Sequence, residues 1–198
     1  MIMNDEFFIW AAKTESSAAV LVRMKGFEKY YELDLGIAQS DSFPNGVTLH
    51  MDSRNPANTL LVDNVKNTEG VTIISEKMKL FIEKQKLIDI EFLPITVIDH
   101  EGRNLDDHYY IFHPINNVDC LDLDNVDPEW DDIDENVVAS VKQLMIDGAK
   151  LPVNKEFFRP KNYIARPIVA KGLVTAILSE GFTGIQFLPV SEISGYLR

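Results

Sequence analysis

Two stretches of the chain share one alternation of apolar and polar positions. Residues 73–95 read IISEKMKLFIEKQKLIDIEFLPI and residues 168–190 read IVAKGLVTAILSEGFTGIQFLPV, at a constant offset of 95. In the first, Ile74, Met78, Phe81 and Ile82 fall at i, i+4, i+7 and i+8, which is one face of a helix. Val169, Leu173, Ala176 and Ile177 repeat that spacing in the second. Glu76 stands in the first turn and Lys84 and Lys86 near the end, as the helix dipole favours. Pro167 can open the second helix and Gly181 can close it. The period then changes to two. Ile88, Ile90 and Phe92 alternate with Asp89 and Glu91, and Thr183, Ile185 and Phe187 alternate with Gly184 and Gln186, which predicts strands with one buried and one wet face. Pro94 and Pro189 cannot donate to a sheet ladder, so each predicts a strand end, an edge or a bulge. The pattern is that of an internal repeat used as scaffold.

Around this unit the pattern predicts strands at 7–11, 18–24, 28–35 and 47–51, and a short buried stretch at 60–62. Residues 95–99 continue the first unit as a strand, and the aromatic run at 108–115 pairs back on it as a hairpin. Residues 137–147 fit both a helix and a strand, and the sheet-like context favours the strand. Shorter strands follow at 156–159 and 163–165. Helices separated by runs of strands define an α+β class: a mixed or largely antiparallel sheet with two helices packed on it, built around the duplicated helix–strand unit at 73–95 and 168–190. At 198 residues and 45% apolar the chain can bury a sizeable core. The expected organisation is an N-terminal strand-rich segment, 1–46, packed on a main domain, 47–198.

Composition narrows the function. The net charge of −12 lacks the basic footprint of a nucleic-acid binder and suits a basic protein partner. A single cysteine, Cys120, cannot form a disulfide within the chain, which fits a reducing compartment. The first residues lack a basic start and a long apolar stretch, so no signal peptide is expected. No run reaches the length of a membrane span. The expected location is cytoplasmic.

The search for chemistry returns little. No Gly-rich phosphate loop follows a strand, and HExxH, CxxC and GxSxG are absent. His108 and His113 are five apart, which on a strand puts them on opposite faces, so they are not expected to share a metal. The acidic run from Asp122 fails the calcium-loop pattern, with Val126 at position five, Asp127 at six and Ile133 at twelve. Neither metal nor cofactor is expected. An enzymatic reading would centre on Asp119, Cys120, Asp122, His113 and Arg159, but carboxylates beside Cys120 would raise its thiol pKa rather than activate it. Arg159, in FFRP, reads as one half of an ion pair with an acid near Cys120, or as a stacking residue. The acidic run itself surrounds an aromatic. Asp122, Asp124, Asp127, Glu129, Trp130, Asp131, Asp132 and Asp134 form the candidate partner-binding surface, an aromatic anchor among steering charges. The plainer alternative is a solvated loop.

The ordered series IISEKMKLFIE, IEFLPITVIDHEG, YYIFHPINNVDCLD, FFRP and GFTGIQFLPV resembles the eleventh family of bacterial immunity proteins, over about residues 47–190. The resemblance implies a role beside polymorphic toxins of contact-dependent bacterial competition. It implies a protein that binds a cognate toxin domain stoichiometrically, without catalysis; a monomer and a homodimer both stay open. No active-site residue is carried over from the family. The rival expectations are an enzyme centred on Asp119, Cys120 and Arg159, and an adaptor or homodimer that uses a sheet edge or the Trp130 loop.

Overall fold

A computed structural model of the chain describes residues 6–105, 108–163 and 166–196. The first half contains β1 (Phe7–Ala12), β2 (Val20–Lys25), α1 (Tyr31–Asp34), β3 (Thr48–Met51), β4 (Asn64–Asn67), β5 (Ile73–Ser75), α2 (Glu76–Lys84) and β6 (Ile90–Ile98). There follow β7 (Tyr109–Pro114), α3 (Leu123–Val126), β8 (Pro128–Trp130), β9 (Val138–Val141) and β10 (Phe157–Phe158). The chain ends through β11 (Ile168–Ala170), α4 (Lys171–Ser179), β12 (Ile185–Pro189) and β13 (Gly195–Tyr196).

The class is α+β, but the architecture corrects the simple sheet carrying two helices. Six strands close into a barrel in the order β2-β3-β6-β7-β5-β4, beside a four-stranded sheet, β10-β11-β1-β12, and a three-stranded one, β13-β9-β8. The barrel mixes both strand directions. β2 runs parallel to β4 and β3 parallel to β6, while β6 and β7 form the expected antiparallel hairpin. Leu21, Leu49, Val65, Ile73, Leu93, Val97 and Ile111 fill the barrel.

The residues of the twin stretches each form strand, helix and strand, β5-α2-β6 and β11-α4-β12. The strand ahead of each helix was not expected; Ser75 caps the first helix by accepting from Met78 N at 3.2 Å. Both units clasp a strand from elsewhere in the chain. Ile111 of β7 lies between Ile73 and Leu93, and Ile9 of β1 lies between Ile168 and Leu188. One strand further out, Val65 pairs with Ile73 and Phe158 with Ile168. Backbone bonds between the elements coincide as well: Phe112 N to Thr72 O and Trp10 N to Pro167 O, Ile115 N to Asp89 O and Lys13 N to Gly184 O. Asp89 and Gly184 both hold positive φ.

Between the barrel and the four-stranded sheet lies a shared core. Met78 and Ile82 of α2 and Leu173 and Ile177 of α4 pack there against Trp10, Phe112 and Phe157. The far side of the four-stranded sheet covers a third cluster with Ile9, Cys120, Val126, Leu144, Phe158, Ile168 and Val190.

Several expectations change in detail. The open positions of β6 beyond Glu91 are Pro94, which is exposed, and Thr96, which is half-buried. Leu93, Ile95 and Val97 point into the barrel, while Ile90 and Phe92 pack into the shared core. Pro94 lies inside β6 rather than at an end. The β3 ladder joins the strand only from Thr96, so Pro94 serves the β7 edge alone. Pro189 does end its strand. Residues 28–35 hold the short helix α1, Tyr31–Asp34, and no strand, with Leu33 as its buried anchor. Residues 138–141 are a strand, as the context favoured. The strand expected at 163–165 falls largely outside the described residues, and Tyr163 is not in one. Among the described residues no helix is long and apolar enough to cross a membrane.

Candidate interaction surface

The acidic run begins where β7 ends. Val118 bridges to Pro160, Leu121 bridges to Ile146, and Cys120 and Val126 plug the third core. Around these anchors Asp119, Asp124 and Asp127 are exposed and Asp122 is half-buried, with Leu123 also standing out. Asp122 precedes α3 and accepts from Asn125 Nδ2 at 2.8 Å; Asp124 is exposed on α3. Asp127 ends α3 in the left-handed conformation at φ 48°, which acidic side chains tolerate better than most. Glu129 lies on β8 and accepts from Ser140 Oγ of β9 at 2.5 Å. Trp130 follows it, 41% exposed.

The next turn is stitched by its own acids. Asp131 Oδ1 accepts from Ile133 N at 2.9 Å and Asp134 N at 3.2 Å, and Asp134 Oδ1 accepts from Asn136 N at 3.0 Å. The turn lifts Ile133 to 95% exposure, next to the exposed Asp132. Thus the eight candidate residues lie on one continuous stretch, part of it a short hairpin. Nine carboxylates and no Lys or Arg occupy residues 119–135. Sequence reasoning missed Ile133; its signal was only an isolated apolar residue in a charged run.

Of the residues of the enzymatic alternative, Cys120, His113 and Arg159 are buried. Cys120 is fully buried, and burial first, then Asp119, pushes its thiol up to about 12. A thiol held protonated is a poor nucleophile. Arg159 is buried too, and its guanidinium lies 3.6 Å from Asp34 of α1. His113 places Nε2 3.0 Å from Ile37 O, and burial lowers its pKa. Among the described residues no group of three or more His, Cys, Asp or Glu is placed to hold a metal ion.

Two features had no forewarning. A cleft of about 550 Å³ opens at one barrel mouth, lined by Arg23, His50, Asp52, Arg54, Glu69 and Asp99 among others. Its charges are largely internally matched: Arg54 binds Asp52 through Nε and Nη2 and holds that carboxyl at about 2, and Arg103 binds Asp99 at 2.7 Å. The second is the strap of residues 27–42 joining β2 to β3. It carries α1 and displays Tyr30, Tyr31, Leu35 and Ile37. The strap meets the root of the acidic run, where Asn117 Nδ2 donates to Asp34 O at 2.9 Å and Asn116 N to Gly36 O at 2.9 Å.

The geometry therefore defines an α+β protein with a built, acidic and partly apolar outer surface. Residues 12–192 match the Immunity protein family (Imm11), and the chain belongs to that family. A comparison with curated proteins found no match.

Proposed function

We propose that the protein neutralises a cognate toxin domain by covering it, one to one, with no covalent bond made or broken. The observation that carries this reading, beside the family, is the acidic stretch 119–135 with Trp130 and Ile133 standing out of it. Its turn is fixed by hydrogen bonds in the free protein, which lowers the ordering cost of binding. An aromatic anchor ringed by like charge suits a partner with a basic contact surface. Asp122, Asp124, Asp127, Glu129, Asp131, Asp132 and Asp134 steer that partner, and Trp130 supplies the buried contact. The site of action is the cytoplasm. The buried Cys120 and Arg159 act in packing rather than catalysis.

The test uses a candidate cognate toxin domain, purified on its own. Trp130→Ala weakens its binding by about tenfold or more in calorimetry, with an unchanged melting midpoint. Equal affinity of variant and wild type rejects the assignment of this surface. A toxin that stays fully active in stoichiometric excess of the wild type rejects the function.

The frame behind this surface reads as two copies of one unit. What supports duplication is the coincidence of registers: Ile73, Ile74 and Leu93 on β7 and Ile168, Val169 and Leu188 on β1 keep the offset of 95 at matched positions. On this reading the N-terminal strand completes the C-terminal copy.

A further inference from the structure

We propose that the strap of residues 27–42 is the apolar centre of the toxin-binding surface, with the acidic stretch as its charged flank; this rests on the immunity reading above. Four large apolar side chains stand out within eight residues. Tyr30 is 55% exposed, Tyr31 54%, Leu35 55% and Ile37 44%. Tyr31 and Leu35 are four apart, so on the α1 turn they point the same way. Exposed apolar clusters of this kind mark contact sites more often than chance, and tyrosines are favoured anchors.

The exposure does not come from a loose segment. Leu33 pins α1 into the barrel core. Asp34 pairs with the buried Arg159, and Glu91 of β6 accepts from Gln39 N at 2.8 Å and Ser40 N at 3.1 Å. Gly36 holds φ 66° with Asn117 Oδ1 only 2.2 Å from where a Cβ would stand. The strap is thus clamped in place while its apolar side chains face solvent, the arrangement of a preformed contact surface.

Position within the fold favours a binding role. The strap and the acidic stretch both lie outside the matched strand–helix–strand units, and the strap is bound at Asn117, two residues before the stretch begins, through Asp34 O. The frame holds up the two segments that differ from it.

Charge selects the occupant. Within the strap Glu32 pairs with Lys29 and Asp34 with Arg159, which leaves the exposed Glu28 and Asp41 as its outward charge, on a chain of net charge −12. A second copy docked about a two-fold axis would set these acids against their own kind. A basic toxin domain meets them with opposite charge.

The experiment measures binding of the same candidate toxin domain by calorimetry, to wild type, to Tyr31→Ala/Leu35→Ala and to Tyr30→Ala. The double variant is expected to weaken binding by about 30-fold or more and Tyr30→Ala by about fivefold or more, with melting midpoints held. Wild-type affinity in both variants overturns the strap while leaving the immunity function standing. A wild type that does not bind the domain at all removes the immunity reading itself. A dimer seen by light scattering and dissolved by the double variant assigns the strap to self-association and overturns the proposal.

Discussion

The Trp10 indole donates Nε1–H to Asn64 Oδ1 at 3.0 Å in the core between the barrel and the four-stranded sheet. In the matching strand registers Phe112 stands where Trp10 does and Phe157 where Asn64 does. Those two rings stack with centroids 4.0 Å apart. All four meet, since Trp10 also packs edge-on against Phe112 and Phe157 at 5.6 and 5.4 Å. One polar link and one aromatic link hold equivalent places in the seam.

Both links are load paths, and their removal has different costs. Asn64→Ala leaves the buried indole N–H unpaired and strips the bond that Asn64 Nδ2 gives Gly184 O at 3.0 Å. Each buried group left alone costs about 1–3 kcal/mol. Phe157→Ala opens a cavity in a fully buried site and costs about 3–5 kcal/mol. Urea unfolding reads both as lower midpoints. An Asn64→Ala midpoint equal to wild type would remove the polar link from the account.

Gly184 and Gly181 separate backbone conformation from crowding. Both hold positive φ, 74° and 67°. A Cβ at 181 meets open space, whereas at 184 it comes within 2.4 Å of Val62 Cγ2 and 2.5 Å of the Asn64 carbonyl oxygen. Alanine at 181 therefore costs conformation alone, about 1–2 kcal/mol. Gly184→Ala adds a clash with backbone that cannot rotate away, so its melting midpoint falls further. Equal losses at the two positions would mean that the β4–β12 approach is soft.

How much of this was legible beforehand follows from which signals are local. The stripes Met78–Ile82 and Leu173–Ile177 predict α2 and α4 because helix periodicity needs only neighbours in sequence. The β6–β7 hairpin was visible for the same reason. Barrel closure was not. It depends on Val20 meeting Lys66 and Thr48 meeting Thr96, and alternation names strands without naming their partners. β4, Asn-Val-Lys-Asn, carries one apolar residue and no strand signal. Around β6, Asp89 and Glu91 suggested one wet face, but Leu93, Ile95 and Val97 carry Glu91's face into the barrel and the exposed position, Pro94, falls on the other. In the strap the tyrosines suggested a strand, while the spacing of Tyr31 and Leu35 was the helical clue. The acidic run was plain from composition, but the exposure of Ile133 depends on the Asp131 turn.

His113 ties the strap to pH. Its Nε2 lies 3.0 Å from Ile37 O and the side chain is 1% exposed. Burial is the main cause that pushes its pKa below the ordinary 6.5; the Ile37 carbonyl and Glu91 oppose the shift and Arg159 adds to it. The unfolded chain then takes up a proton near pH 6.5 that the folded chain refuses. Stability is greatest above that value and is lost as pH falls from it toward the lowered folded value. His50 has the same sign, lowered by burial and then by Lys25 and Arg23. Asp34 works the other way, because burial raises its pKa and the folded state there holds the extra proton. Both are common to wild type and a His113 variant, so their difference isolates the imidazole. His113→Gln keeps an amide donor for Ile37 O and removes the titration. Urea midpoints measured between about pH 7 and pH 5 should therefore fall more steeply for wild type than for His113→Gln. Parallel curves would show that the imidazole under the strap is not linked to folding.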